Sequence, residues 1–349
     1  MSAHPEFVIV GQGLAGTALA WQLLRRGRKV LVVDRESGGC SRLAAGLITP
    51  ITGKRVAKSW RWDELRPAAE AFYREIETRT RTAFFHPREA IRLFATANER
   101  SRYSGPGGEV AVRDDWFNAA FGGFVMPEAA RLDVSCYLEA SRAHFRAVGA
   151  FRTADLDPKQ IEPNTSAVRI PQLDAEAQTL VFCRGFAPDG DPWFGAIPFR
   201  AAKGEFLTVR VPGLAEERVT HRGVWLAPLG DEVFRAGATY SWHQLDGVPT
   251  AAGRTELEAR LRELLKLPFE VIEHRAAVRP IIGGSVPVLG RHPDCPRVAF
   301  FNGLGSKGSL LSPFFANQFA AHLCDGGEID PEVDVRTFLN RVSSRHNPE

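Results

Sequence analysis

The sequence predicts a mixed α/β fold in which one domain is built from separated segments and a sheet-containing second domain is inserted between them. Near each end, a buried strand, a glycine-rich turn and an apolar helix follow one another, which is typical of α/β units. The middle of the chain alternates short apolar runs with Gly and Pro, which favours strands. The predicted division is 1–80, 130–200 and 270–349 for the first domain, and 81–129 and 201–269 for the second.

Length and composition agree with this organisation. The chain has 349 residues, enough for about two domains of ~150 residues each. The content of 44% hydrophobic and 24% charged residues excludes a disordered chain and a coiled coil. The net charge of +3 argues against a strong field for nucleic acid or membranes. No apolar run approaches the ~20 residues that span a bilayer.

Cysteine usage and the N-terminus predict a reducing, cytoplasmic compartment. The N-terminal MSAHPEF lacks the basic and apolar regions of a secretory signal. The nine histidines show no metal-ligand spacing, so we expect no metal. The cysteines are odd in number and form no CxxC pair or disulfide framework; they are Cys40, Cys136, Cys183, Cys295 and Cys324.

The N-terminal unit consists of two predicted strands joined by a glycine turn and a helix. The apolar run 7–10 suits a buried parallel strand, and apolar residues recur at helical spacing over 14–24. A second buried strand over 30–33 ends at Asp34. The unit has about the ~30 residues expected of a strand–helix–strand unit.

The glycine turn of this unit matches the pattern GxGxxG. Gly11 permits a tight turn, Gly13 lets the backbone approach a pyrophosphate, and Gly16 allows close packing of helix and strand. Leu14 and Ala15 complete the turn. A pyrophosphate would lie against unpaired amides at the helix N-terminus. The pattern therefore predicts a dinucleotide ligand, with a chance glycine turn as the alternative.

An acidic residue closes the second strand. Asp34 follows Gly16 by 18 residues, so its carboxylate could accept both hydroxyls of an adenosine ribose. It would repel a 2′-phosphate, which argues against NADP. Arg35, the next residue, is a further candidate for cofactor contact. This pattern does not distinguish FAD from NAD.

A second glycine turn follows the apolar run 298–301 and precedes an apolar helix that extends to about Leu323. A helix N-terminus carries about half a positive charge. Directed at the pyrimidine end of a flavin, it would stabilise the negative charge gained on reduction. The alternative is a plain tight turn whose glycines serve packing. The candidate residues are Gly303, Leu304, Gly305, Ser306, Lys307 and Gly308.

Further elements follow from local patterns. We expect a helix over 63–78 and a second one that is capped by Asp133 and ends near Val148. Thr255 and Glu258 have the spacing of a capping box, which predicts a helix start at that point. Strands are predicted over 180–183, 206–211, 224–227, 233–239, 276–278, 286–289 and 298–301.

Taken together, these residues resemble the FAD-dependent oxidoreductases of the D-amino-acid oxidase and glycine oxidase superfamily over most of the chain. The chain is also similar to the oxidase half of the bacterial bifunctional enzymes that modify the tRNA wobble uridine. The matching segments are VIVGQGLAG, VLVVDR, the flavin-side loop Ala44-Ala45-Gly46-Leu47, Lys203-Gly204-Glu205, Val278-Arg279-Pro280, Pro287-Val288-Leu289-Gly290 and the second glycine turn.

The resemblance implies a Rossmann-like FAD-binding domain with an inserted antiparallel-sheet substrate domain. It also implies non-covalent FAD and oxidation of a C–N bond of an amino acid or secondary amine by hydride transfer. Some relatives tether the flavin through a cysteine near the position of Arg279; none occurs there in this sequence, so we expect no covalent link. The turn 183–186, Cys-Arg-Gly-Phe, departs from the small residues of many relatives and leaves the substrate class open.

Two residues are candidates for substrate contact. By the resemblance, Arg279 pairs with a substrate carboxylate, which its planar fork suits better than lysine would. A structural ion pair is the alternative. Tyr240 follows a predicted strand, and relatives often place a polar group over the flavin from this sheet. A half-exposed strand aromatic is the alternative.

A basic run past the flavin-side loop offers a different partner. It could receive an acidic or polyanionic substrate, including RNA, but the pattern favours a solvated helix face. Two functions compete with small-molecule amine oxidation: a tRNA wobble-uridine carboxymethylaminomethyl oxidoreductase, and a non-catalytic flavin-binding redox module. The electron acceptor stays open. The run comprises Lys54, Arg55, Lys58 and Arg61, interleaved with Trp60 and Trp62.

Overall fold

The computed structural model describes residues 5–36, 38–53, 56–105, 115–187 and 191–343. Its helices are α1 (Leu14–Arg25), α2 (Trp62–Thr80), α3 (Ala97–Ser101), α4 (Val134–Ala147), α5 (Ala251–Leu264), α6 (Gly308–Asp325) and α7 (Val335–Ser343). Its strands are β1 (Phe7–Val10), β2 (Val30–Asp34), β3 (Leu47–Ile48), β4 (Ile51–Thr52), β5 (Ala57–Lys58), β6 (Phe85–Pro87), β7 (Ala90–Leu93), β8 (Gly123–Met126), β9 (Ala130–Leu132), β10 (Phe151–Thr153), β11 (Glu162–Pro163), β12 (Val168–Ile170), β13 (Ala175–Ala177), β14 (Thr179–Phe182), β15 (Ala202–Arg210), β16 (Val219–Arg222), β17 (Val224–Gly230), β18 (Val233–Gly237), β19 (Glu270–Arg279), β20 (Val288–Arg291) and β21 (Val298–Asn302).

A six-stranded sheet with the order β10-β2-β1-β14-β21-β20 carries the two glycine turns. Its first five strands are parallel, and β20 runs antiparallel to β21. Val8 of β1 pairs with Leu31 on one side and Leu180 on the other. Because parallel strands present their carboxyl ends at one edge, the turns that follow β1 and β21 emerge on either side of the end of β14.

Both faces of this sheet are covered, which explains its continuous apolar strands. On one face, α1, α2, α4 and α6 form one buried cluster with the sheet. Trp21 of α1 lies at its centre and donates a hydrogen bond of 2.9 Å from Nε1 to Ser141 Oγ of α4. On the other face, the small sheet β11-β12-β13 and α7 bury Val168, Ile170 and Phe338.

A seven-stranded sheet, β19-β15-β18-β17-β16-β7-β8, forms the second layer of the molecule. All its pairs are antiparallel except β16 with β7. Helix α5 covers one face, where Leu257 and Leu261 pack with Phe234. On the opposite face, Ala90 and Val219 belong to a buried cluster that continues into the flavin-side loop.

The mixed α/β fold class is confirmed, with two details that differ from the predicted domain division. Strand β19 lies in the seven-stranded sheet, although its residues were assigned to the cofactor domain. The small sheet β3-β9-β6 crosses the boundaries at residues 81 and 130. The sequence of a single strand does not indicate which of the two large sheets it will join. The other boundaries stay predictions.

The predicted helix starts are correct at α1 and α4 but wrong at α5. Asp133 caps α4, since its Oδ1 accepts a hydrogen bond of 3.0 Å from Cys136 N. Helix α5 is capped by Thr250, whose Oγ1 accepts from Gly253 N at 3.0 Å. Thr255 lies inside the helix and donates to Ala251 O, so the predicted capping box is wrong.

A buried carboxylate explains the earlier start of α5. Glu205 of β15 accepts hydrogen bonds of 2.8 Å from both the backbone N and the Oγ1 of Thr250. Local spacing cannot reveal this partner, because Glu205 is distant in the sequence. The strand β20 likewise begins at Val288 instead of residue 286, and α2 begins at Trp62 and ends at Thr80.

The cap assignment predicts unequal effects of two threonine substitutions. Thr250→Ala should lower the free energy of unfolding by about 1–2 kcal/mol, because it removes the helix cap and one hydrogen-bond donor to Glu205. Thr255→Ala is the matched control and should change it by less than about 0.5 kcal/mol. Urea denaturation followed by circular dichroism measures both. A larger loss in Thr255→Ala would contradict the assignment.

Candidate active site

The first glycine turn has no room for side chains. A Cβ on Gly16 would lie 1.9 Å from Gly11 O, and one on Gly11, where φ is +105°, would lie 2.5 Å from Cys183 O. The turn therefore packs against the end of β14. A Cβ on Gly308 would lie 2.7 Å from Leu14 Cδ1, so the two predicted glycine turns are neighbours in space.

Both helices that follow these turns start without a side-chain cap. The N-cap residues Gly13 of α1 and Lys307 of α6 make no capping side-chain hydrogen bond. Ser41 Oγ accepts from Leu14 N at 3.2 Å, a contact that the sequence analysis missed. Two helix N-termini whose N-cap residues make no capping bond lie side by side and suit a ligand with anionic groups, because their remaining amides and dipoles favour negative charge. The turn residues therefore fit a pyrophosphate.

Asp34 is held in place by two backbone amides. Its Oδ2 accepts from Gln12 N and its Oδ1 from Glu36 N, both at 2.7 Å. Arg42 Nη2 lies 3.8 Å from Oδ1. The carboxylate is thus fixed at the carboxyl end of β2, beside the first glycine turn. Arg35 is exposed, and its contact with a cofactor stays a prediction.

The flavin-side loop is fixed against β9. Gly46 O accepts from Leu132 N at 2.9 Å, and Ala45 O accepts from Arg131 Nε at 3.4 Å. Gly46 has φ of +72°, and a Cβ there would lie 1.8 Å from Leu132 O, so this position requires glycine. Ala44 precedes this glycine, and Leu47 opens β3.

The second glycine turn is tied to two other loops. Asn302 Oδ1 accepts from Gly303 N at 2.9 Å, and its Nδ2 donates to Gly185 O at 2.8 Å. Gly305 N donates to Pro280 O at 3.2 Å. These bonds bring the turn after β14 and the end of β19 to the start of α6. The predicted residues Leu304 and Ser306 lie in this assembly, and Leu304 pairs with Ile281.

The turn after β14 contacts both glycine turns, through Cys183 and Gly185. Burial raises the pKa of the Cys183 thiol, so this cysteine is inert at neutral pH. Arg184 Nη1 lies 3.8 Å from Asp191 Oδ2. Phe186 packs edge-on against Phe199. The large side chains of this turn are thus accommodated by contacts with neighbouring residues.

Arg279 and Tyr240 lie together at the end of β19. The Arg279 guanidinium lies 4.4 Å from the centre of the Tyr240 ring, a cation–π geometry, and its Nη1 donates to Thr239 O at 3.3 Å. Burial lowers the pKa of Arg279, while Tyr240 and Cys40 oppose that shift. No carboxylate pairs with Arg279 within the described part of the chain. The structural ion pair considered from the sequence is absent there.

The segment Lys203-Gly204-Glu205 makes room for this arginine. A Cβ on Gly204 would lie 2.1 Å from Arg279 Nη2, so the guanidinium crosses β15 only where no side chain stands. On either side, buried Lys203 bonds Asp246 Oδ1 at 2.6 Å, and Glu205 holds the start of α5. The three residues fix the strand on which Arg279 rests.

A cavity of about 380 Å³ opens between the seven-stranded sheet and the second glycine turn. The sequence analysis missed most of its lining, including Trp225, His221 and Arg92, because those residues come together only through strand pairing. None of the lining residues is Asp or Glu. They are Leu47, Thr49, Ile51, Thr52, Gly53, Ser59, Ala90, Ile91, Arg92, Met126, Val219, His221, Gly223, Trp225, Gly237, Ala238, Tyr240, Arg279, Ser306, Lys307 and Leu310.

Lys307 reaches the cavity from the start of α6. Its Nζ lies 3.4 Å from Ser59 Oγ, and burial lowers its pKa. Ser59 in turn donates to Thr49 O at 2.9 Å. A cation therefore stands next to the N-terminal dipole of α6, which makes this end of the cavity attractive to negative charge.

The basic run does not form one cationic surface at its described positions. Lys58 Nζ bonds Asp63 at 2.7 Å, and Arg61 bonds Glu64 at 2.7 Å and Asp330 at 2.5 Å. Trp60 stacks on Phe315, and Trp62 is buried. Lys54 and Arg55 lie outside the described residues.

The described ranges contain neither a candidate membrane-spanning helix nor a candidate metal centre. No helix there has the length and apolar character needed to cross a membrane. No group of three or more His, Cys, Asp or Glu side chains is arranged there to hold a metal ion.

Comparison with known proteins agrees with this geometry. The chain is 25% identical to the tRNA 5-methylaminomethyl-2-thiouridine biosynthesis bifunctional protein of Marinobacter nauticus, over 91% of its own length but only 55% of that protein. It is 23% identical to glycine oxidase of Bacillus licheniformis, over 90% of the chain and 91% of the relative. The crystal structure of glycine oxidase from Geobacillus kaustophilus superposes with a TM-score of 0.74 at 20% identity, covering 94% and 96% of the two chains.

A family profile extends over nearly the whole chain. The family described as FAD dependent oxidoreductase matches residues 6–322, which include both glycine turns, the flavin-side loop and Arg279. The fold likeness to glycine oxidase agrees with it, and non-covalent FAD, as predicted, is typical of this family. The chain is therefore an FAD-dependent oxidoreductase of the D-amino-acid oxidase superfamily.

Proposed function

We propose that this enzyme oxidises the C–N bond of an amino acid or secondary amine whose carboxylate binds Arg279. One observation carries the proposal: Arg279 is a cation on the cavity lining that has no acidic partner among the described residues. A carboxylate would supply two hydrogen-bond acceptors and the missing charge. The glycine oxidase relative, by its name, acts on an amino acid of this kind.

The two glycine turns would hold the two ends of the cofactor. Gly11, Gly13, Leu14, Ala15 and Gly16 would grip the pyrophosphate at the start of α1. Asp34, with Arg35 next to it, would bind the adenosine ribose. The flavin-side loop 44–47 and the second turn 303–308 would flank the ring system.

The chemistry divides between cofactor and protein. Bound FAD supplies a two-electron acceptor, so that the substrate carbon next to nitrogen loses a hydride, nitrogen loses a proton, and water hydrolyses the resulting imine. Arg279 would bind and orient the carboxylate, and Tyr240 would hold the guanidinium through the cation–π contact. The cavity lining contains no Asp or Glu, which agrees with an amine that arrives deprotonated and needs no carboxylate base.

The two competing functions receive less support. An RNA substrate would need free cations, whereas Lys58 and Arg61 are paired with acidic side chains. Steeply salt-dependent binding of tRNA would favour that function. Failure of every amine to reduce the flavin would favour a non-catalytic module.

The carboxylate role of Arg279 predicts a large loss in Arg279→Ala. With the fastest substrate from a panel of D-, L- and N-methyl amino acids, the second-order rate constant of anaerobic flavin reduction should fall about thirtyfold or more, which corresponds to a loss of about 2 kcal/mol. The matched control is Arg275→Ala, an exposed residue of the same strand that pairs with Glu273 at 2.6 Å; its rate and FAD content should equal those of the wild type. A normal rate in Arg279→Ala would refute the role.

The position of Lys307 predicts an effect on the flavin itself. Lys307→Met removes a cation at the start of α6, so the reduction potential of bound FAD should become more negative. Equilibration with a reference dye measures the potential. Lys58→Met, which removes an exposed cation paired with Asp63, should leave it unchanged. Equal potentials for wild type and Lys307→Met would remove Lys307 from the flavin site.

A further inference from the structure

The cavity has a second polar side, distant along the sheet from Arg279. His221 of β16 and Arg92 of β7 are direct cross-strand partners, and both line the cavity. Four strand-to-strand steps separate β19 from β16 in the sheet order. The two polar sides therefore belong to opposite ends of the same cavity.

Strand alternation fixes which way these side chains point. Val219 and His221 share one face of β16, as Ala90 and Arg92 share one face of β7. Val219 and Ala90 pack in the buried cluster that includes the flavin-side loop. His221 and Arg92 therefore project toward the cavity. Thr220 projects to the opposite face.

Neither residue is fully satisfied by the protein. His221 Nδ1 and Arg92 Nε are buried, yet have no hydrogen-bond partner among the described residues. The Arg92 Nη2 atom bonds Glu99 and donates to Gly53 O at 3.2 Å, which anchors the side chain and leaves Nε–H open. Buried polar groups are normally paired, and an apolar ring would fill the place of His221 without this cost.

The charges of the cavity point to an anionic partner. Its lining carries three basic side chains, Arg92, Arg279 and Lys307, and no acid. Glu99, which does not line the cavity, forms an ion pair with Arg92. Burial and the charge of Arg92 lower the pKa of His221 to about 3, so the neutral ring would donate through one N–H at physiological pH.

We propose that His221 and Arg92 form a second carboxylate subsite, so that the substrate is an amino acid or secondary amine with two carboxylates. Arg279 binds one and the β16–β7 side binds the other. This inference rests on the proposed function, because it takes Arg279 as the first carboxylate site. It adds a specificity that Arg279 alone would not give.

Binding of unreactive acids to the FAD-loaded protein tests the subsite without turnover. Pairs of acids with about five to twelve carbons, each a linear α,ω-dicarboxylate and the monocarboxylate of the same carbon number, cover the separation of the two sides, since neighbouring strands are about 4.8 Å apart. Calorimetry and the flavin absorbance report their Kd values. In the pair whose length matches the separation, we expect the dicarboxylate to bind at least about tenfold more tightly, since hydrogen bonds to a charged group are among the stronger ones. His221→Phe should abolish this preference, and His221→Gln, which keeps a hydrogen-bonding group, should restore part of it.

Controls separate the subsite from the rest of the site. Thr220→Val changes the neighbouring residue on the opposite face of β16 and should keep the preference for the dicarboxylate. Arg279→Ala should weaken binding of both acids of that pair. Equal Kd values within every pair in the wild type, or a preference that survives His221→Phe, would overturn the subsite while Arg279 and the proposed function stand. Absence of binding by both acids of every pair would overturn the subsite and the carboxylate role of Arg279 together.

Discussion

The site depends on one constraint: the strands β1, β14 and β21 are parallel neighbours, so the loops that leave them meet at one edge of the sheet. The first glycine turn presses on the carbonyl of Cys183 at the end of β14. The second is bonded through Asn302 to Gly185, in the turn that follows the same strand. Both glycine turns therefore depend on β14, because each contacts the end of that strand.

This arrangement explains why the sequence predicted the two glycine turns more readily than the residues that line the cavity. A glycine turn before a helix is a local pattern, and the steric reason for Gly16 is the carbonyl of Gly11 in the same turn. The cap of α4 by Asp133 is equally local. Such features can be read along the chain because their partners are close in sequence.

Features that depend on distant partners could not be read in this way. The cap of α5 is Thr250 because Glu205, on another strand, binds it. His221 and Arg92 face the cavity only because β16 pairs with β7 in one register. Spacing in the sequence contains neither pairing. The resemblance suggested Arg279, but only the fold shows that the described residues offer it no acidic partner.

The segment Lys203-Gly204-Glu205 connects these two kinds of information. Its glycine is required because the Arg279 guanidinium occupies the space of a side chain, and its flanking charges tie β15 to Asp246 and Thr250. Burial makes the charge of Arg279 unfavourable, yet the aromatic face of Tyr240 and a backbone carbonyl are what the described protein offers in return. A rigidly held cation with incomplete compensation binds an anion more strongly than a free one does, because neither its orientation nor its full hydration must be given up on binding. Strand β15 therefore supports the proposed substrate site, although Lys203, Gly204 and Glu205 do not line the cavity.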